Sequence, residues 1–197
     1  MLLDHVILAA ADLDAATARL EAEHGFVATG GGRHDGIGTH NRIVPLGGGY
    51  LEVMAVADQA EAQASALGRI LSAAIAERAG GPMAWCVAVE DVEAVAQRLG
   101  TEISLIARAG LTARLTGVAE AMAEPCLPFF IERDPGVADP GADGDAGGLT
   151  WVEVAGEERR LADWLGGEEL PVRVIDGPPA PPALRAVGIG DRELRPG

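Results

Sequence analysis

A few residues of this 197-residue chain combine reactive chemistry with telling positions. His5 lies inside an apolar strand and shares one strand face with Ile7 and Ala9. A histidine so placed is either a hydrogen-bonded core residue or a ligand or base. Glu52 sits in YLEVMAV, on the same strand face as Tyr50 and Met54. A carboxylate on an inner face is costly unless paired or metal-bound; on a wetted face it needs no explanation. Glu132 in FFIER invites the same two readings, but Arg133 and Asp134 follow at once, so its strand end can already be wet or the Glu paired with an Arg. His34, His40 and Asn41 fall in GGRHDGIGTHN, which leaves a glycine-rich turn and runs into a strand. Alternation allows only one of His40 and Asn41 to face a given side. Arg108 and Arg114 can meet an anionic substrate or snorkel outward. His24, at a helix end where a cation suits the dipole, reads as structural.

Other chemistry is excluded. All fifteen basic residues are Arg, so no phosphate-loop, Schiff-base or general-base lysine exists. The runs Gly30–Gly32 and Gly47–Gly49 open no helix with a phosphate fingerprint and read as turns. Cys86 and Cys126 form no C-x-x-C motif and have no visible base beside them, which argues for reduced, unreactive thiols. A net charge of −15 repels nucleic-acid phosphates and anionic membranes. No apolar run is long enough to span a bilayer, and the opening MLLDHVILAAADLD is a poor signal peptide, so a cytoplasmic protein is expected.

The elements that must position these groups come as a repeat. DHVILAAADLDAATARLEAEHGF and MAWCVAVEDVEAVAQRLG each read as a strand, an acidic cap and a helix. Leu13, Ala16 and Leu20 make one helical stripe, and Val92, Val95 and Leu99 make another. Asp12 and Asp91 cap the helices, and Gly25 and Gly100 end them. Three strands follow each helix. The closing strands align Tyr50-Leu51-Glu52 with Phe130-Ile131-Glu132, one residue out of step with the opening strands. Residues 59–79 read as a linking helix whose Ala and Leu surface offers one route to a homodimer. Residues 135–148 are turn-forming. Residues 149–197 add a strand at LTWVEV, a helix at EERRLADWLG, strands near LPVRVI and LRAVGI, and a stiff proline turn around Pro179. Trp85 is expected under a helix, and Trp151 and Trp164 are expected to anchor the tail.

This arrangement resembles the vicinal-oxygen-chelate superfamily, and within it the glyoxalase-like proteins of bacteria. The stretches LDHVILAAADLDAA, GGRHDGIGTHNRIVPLGGGYLEVMAV and LPFFIERDPG carry the resemblance, over about residues 2–58 and 83–134. The resemblance implies an α+β fold in which paired βαβββ modules form curved sheets around a cleft, with a short C-terminal α/β extension. The corresponding divisions are 1–134 (modules 1–58 and 83–134, linking helix 59–79), a loop at 135–148 and an extension at 149–197. In metal-bearing members the first and last strand of each unit supply four ligands. Carried onto this chain, those positions are His5, Glu52, Ala84 and Glu132, and Ala84 cannot bind a metal. One nitrogen and two oxygens suit Zn, Mn, Fe or Ni. A metal-free site is the equal alternative. Glu52 and Glu132 are then the candidate bases, and Asn41, His40 and Arg114 the substrate contacts, with Asn41 preferred over His40 for the cleft because the resemblance includes its GT-x-N pattern. The expected function is a small-molecule enzyme, a lyase, isomerase or dioxygenase-like protein acting on a vicinal-dioxygen or α-carbonyl substrate. The alternative is a metal-free protein of the same fold that binds or sequesters a small molecule.

Overall fold

The computed structural model describes residues 1–78, 80–108, 111–177 and 183–195. The proline turn around Pro179 and the Arg108 side chain lie outside what is described. The first unit runs β1 (Leu2–Ala10), α1 (Leu13–His24), β2 (Thr29–His34), β3 (Thr39–Pro45) and β4 (Tyr50–Val56). The second runs β5 (Gly80–Ala88), α4 (Val92–Leu99), β6 (Ile103–Arg108), β7 (Leu111–Thr116), a short α5 (Val118–Ala123) and β8 (Phe129–Arg133). Between them lie α2 (Gln59–Ala64) and α3 (Ala66–Arg78). The tail is β9 (Leu149–Ala155), α6 (Glu158–Leu165), β10 (Val172–Ile175), β11 (Leu184–Ile189) and β12 (Arg192–Leu194).

The caps form as expected. Asp12 accepts from the Ala15 amide and Asp91 from the Ala94 amide, each satisfying an orphan donor of the first turn. Gly25 and Gly100 end these helices in the left-handed conformation. The linking helix is not continuous. Ser65 is extended, its hydroxyl accepts from Gly68 N and donates to Ile37 O, and the chain restarts as α3.

The two units join edge to edge. β1 pairs antiparallel with β5, giving one curled eight-stranded sheet in the order β2-β3-β4-β1-β5-β8-β7-β6. In each half the closing strand runs parallel to the opening one. The convex face packs Val6, Leu8, Leu51, Val53, Trp85, Val87 and Phe130 against α1, α4 and the tail. A second sheet, β10-β9-β11-β12, lies over this face. Trp85 is fully buried there and donates to Cys126 O. Trp164 donates to Pro128 O and anchors α6. Trp151 instead sits partly exposed under the Arg173 guanidinium, 3.6 Å from the ring centroid.

The concave face carries Ile7, Ala9, Met54, Ala84, Cys86, Phe129 and Ile131, and α3 packs on it through Leu71 and Ala74. Leu71 and Ala74 of the linking segment are therefore turned inward. The two halves are also tied by charge. Asp4, 5 % exposed, takes a two-pronged contact from Arg133 of β8, at 2.5 and 2.7 Å. Asp4 sits at a bulge, since Leu3 opposes Val87 and the next residue in the ladder is His5, opposite Cys86. The extra residue breaks the alternation and leaves the carboxylate beside its neighbour's ring. Burial alone pushes the Asp4 carboxyl up, but hydrogen bonds from Arg133 and His5, with their charges, reverse this and hold it well below the usual range.

Because the folded carboxyl is held below its unfolded value of about 3.9, the pair contributes fully above that pH and is lost as pH falls below it. Asp4→Asn should cost roughly 3–5 kcal/mol at neutral pH, because a guanidinium is left buried without its partner. Urea unfolding should show this gap narrowing as the pH is lowered through about 4; a gap that stays constant there would count against the pair.

Candidate functional site

Along β1 the concave face presents His5, and along β4 it presents Glu52. His5 is 4 % exposed. Its ring stacks on Tyr50 with centroids 4.6 Å apart and meets the edge of Phe129 at 5.4 Å. Its Nδ1 is 2.6 Å from Asp4 Oδ1. Asp4 is ionised and accepts only, so Nδ1 donates and Nε2 faces outward from that contact. Nε2 lies 3.7 Å from Glu52 Oε2. Glu52 Oε1 accepts from the Asn41 amide on β3 and lies 4.0 Å from His34 Nε2 on β2. His34 Nδ1 is in turn 2.7 Å from Thr39 Oγ1. Four strands thus converge on one carboxylate, and the Asp4–Arg133 pair stands behind the imidazole.

The β2–β3 hairpin is held in place by backbone geometry. Gly31 has a φ of +109°, and a Cβ there would lie 2.1 Å from Asn41 O, so close approach to the strand bearing Asn41 demands glycine. Asn41 also accepts from Gly32 N through Oδ1, which orients its amide nitrogen toward Glu52.

His5, Glu52 and Asn41 are brought together. Glu132, Arg114 and His40 are not among them. Glu132 shares its strand face with Phe130, on the convex side, where it accepts from Val92 N at 2.8 Å and from Arg114 at 2.5 Å. Arg114 pairs with Glu132 and with Glu93 of α4. His40 shares its face with Arg42, which reaches Asp14 of α1. The cause for Glu132 is the one-residue offset between the repeats. With Cys86 opposite Phe129 and Ala88 opposite Ile131, the concave positions of β8 are Phe129, Ile131 and Arg133, and a shift of one residue exchanges the faces of a strand. Asp4 and Arg133 stand beside His5, a placement that the sequence pattern did not announce, because a bulge leaves no trace in residue type.

Donors bonded at roughly 2.0–2.2 Å to one ion can lie no more than about 4.4 Å apart, so His5 Nε2 and Glu52 Oε2 fit as two ligands. The second half adds none: Ala84 offers a methyl group and Glu132 is on the other face. Among the described residues, one group of three potential donors within 4.8 Å of one another occurs: Asp4, His5 and Cys86. Arg133 already occupies Asp4, and burial pushes the Cys86 thiol well up, keeping it protonated. The residues present therefore fit an ion held by His5 and Glu52 with open positions, not a closed four-ligand centre. Glu52 and His34, with side chains 12 % and 13 % exposed, mark the side open to solvent. Two surface depressions of about 460 and 470 Å³ lie elsewhere, and neither is lined by His5 or Glu52. No helix among the described residues is long and apolar enough to cross a membrane.

Comparison with solved structures places this fold among known ones. A hypothetical protein from Staphylococcus aureus is similar over 89 % of this chain and 85 % of its own, with a TM-score of 0.66 and 17 % identity. Methylmalonyl-CoA epimerase from Mycobacterium tuberculosis is similar over 68 % of this chain and 87 % of its own (TM-score 0.50, 20 % identity). A Streptomyces coelicolor methylmalonyl-CoA epimerase variant in complex with 2-nitronate-propionyl-CoA is similar over 66 % and 94 % (TM-score 0.51, 18 % identity). No curated protein matches the chain in sequence. The profile described as Glyoxalase-like domain matches residues 3–168, across both βαβββ units and into the tail, and the chain belongs to that family.

Proposed function

We propose that the chain is a small-molecule enzyme of the isomerase or lyase type that moves a proton at a carbon next to a carbonyl, with His5 and Glu52 at its centre. One observation carries this reading: a buried imidazole, its Nδ1 committed to Asp4, turns its Nε2 toward a carboxylate oxygen 3.7 Å away. With Nδ1 carrying the proton of a neutral imidazole, Nε2 and that oxygen are two electron-rich atoms that a positive partner between them would satisfy. His5 and Glu52 are the residues that would hold a divalent ion there. When bound, it supplies a Lewis acid that polarises the substrate carbonyl. The Asp4–His5 contact is the carboxylate–histidine arrangement that fixes a ligand's tautomer.

The chain's own groups do the rest. Glu52 accepts the proton from the substrate carbon and returns it to a neighbouring carbon on the same face, so that no electrons are gained or lost. Asn41 holds the carboxylate through Oε1. Substrate approaches from the Glu52 and His34 side, and the hydrocarbon of Phe129, Ile131 and Leu115 takes its apolar part. The seating of α3 through Leu71 excludes water behind it. That epimerases are found among the fold relatives agrees with proton-shift chemistry. A second reading, a binding protein without turnover, is favoured by Ala84 at a ligand position and by the cover that α3 places on the concave face.

Calorimetric titration with Mn²⁺, Ni²⁺ and Zn²⁺ separates them. The wild type should take up an ion, His5→Ala should lose that uptake, and Asp4→Asn should weaken it about 10–100-fold. A wild type that binds none of these ions would remove the ion-assisted reading. Thermal stabilisation by small α-carbonyl acids without their turnover would then favour the binding protein.

A further inference from the structure

Two buried donors on the concave face are given to no acceptor among the described residues. Arg133 gives Nη1 and Nη2 to the Asp4 carboxylate, and Nη2 also donates to the Tyr50 hydroxyl, 3.4 Å away. The third nitrogen, Nε, is buried and has no hydrogen-bond partner among the described residues. Tyr50 is 6 % exposed and its ring stacks on His5. A phenol is protonated at neutral pH. The Tyr50 oxygen accepts from Arg133, and a guanidinium cannot accept in return, so the hydroxyl proton is also unused among the described residues. Buried donors left unpaired are costly and rare, and where a protein keeps them something must complete them.

We infer that Arg133 Nε and the Tyr50 hydroxyl form a subsite that takes an uncharged acyl oxygen of the substrate, the carbonyl of an ester, thioester or amide. The spacing allows one oxygen to meet both. Nε and Nη2 share one carbon and lie about 2.3 Å apart, given two C–N bonds of about 1.33 Å at a trigonal angle. With Nη2 3.4 Å from the Tyr50 oxygen, Nε is within about 5.7 Å of that oxygen. A single acceptor can then lie about 2.9 Å from each. Both groups offer hydrogens, which selects an acceptor and rejects an amine. Charge selects the kind of acceptor. Arg133 and Asp4 neutralise one another, and Glu52 stands across His5. A carboxylate brought here would meet two carboxylates with one guanidinium between them, whereas a carbonyl oxygen adds no charge. The subsite rests on the proposed proton shift and narrows its substrate. One acyl oxygen lies beside His5 and Glu52, where the reacting carbon is activated, and a second, uncharged one is held by Arg133 and Tyr50.

Tyr50 is the single tyrosine of the chain, so tyrosine labelled at Cζ with a heavy carbon isotope gives one NMR resonance that reports on this hydroxyl. The full chain, dialysed against a chelator, is titrated with dimethyl malonate, which has an uncharged acyl oxygen on each side of an acidic carbon. The resonance should shift and saturate, and malonate should shift it only at higher concentration. Tyr50→Phe keeps the ring and its stack on His5, so it should fold with an unchanged circular dichroism spectrum. It should bind the diester about 3–10-fold more weakly in a ligand-observed NMR titration. A resonance that stays in place throughout leaves the two donors to a resident water and overturns the subsite. Equal affinity of Tyr50→Phe and wild type overturns it as well, and malonate binding more tightly than the diester overturns the uncharged oxygen. No ion takes part, so the result stands apart from the ion titration. Ion uptake without a shift sinks the subsite alone, and a shift in a chain that takes up no ion supports the subsite while the ion-assisted reading falls.

Discussion

The Asp4–Arg133 pair is the interaction on which the site depends. It spans the two halves of the molecule, from the first strand to the eighth, and it decides the state of the imidazole between them. An ionised Asp4 can only accept, so His5 must present its Nε2 to the concave face. Without Arg133 the burial of Asp4 would oppose its charge, and the tautomer of His5 would no longer be set. The second half therefore takes part in the site by a cation that acts through a neighbour, where its Ala84 can supply no ligand.

The concave face is asymmetric as a result. Its first half carries His5, Glu52, Asn41 and His34; its second half carries Ala84, Cys86, Phe129, Ile131 and Leu115. Duplication has kept the scaffold in both halves and the reactive groups in one. The convex counterparts, Glu132 and Arg114, serve the scaffold. Glu132 satisfies the first amide of α4, and Arg114 binds Glu132 to the same helix. Such a carboxylate at a helix start is stabilised by the helix dipole, which accounts for an acidic residue in that strand.

Much of the fold was legible from residue type and spacing. Helices α1 and α4 begin after Asp12 and Asp91 and end at Gly25 and Gly100, because side-chain capping and left-handed glycine are local chemistry. The choice of Asn41 over His40 for the face of His5 and Glu52 came from the resemblance and its GT-x-N pattern; alternation along the strand, a local rule, showed only that one of the two must face away. The break at Ser65 was not legible, because residues 59–79 are all compatible with one helix, whereas the Ser65 hydroxyl is engaged by Ile37, far away along the chain.

The sequence by itself determined the repeated βαβββ units, the absence of lysine chemistry and which strand neighbours share a face with His5 and with Glu52. Only the tertiary structure decided which second carboxylate joins them. Register across β5 and β8 turned Glu132 outward, and a bulge in β1 brought Asp4 inward beside His5. The physical reason is the same in both cases. The face that a strand residue occupies depends on pairing with a distant strand, and a single added residue reverses it, whereas caps and periodicity depend only on neighbours along the chain.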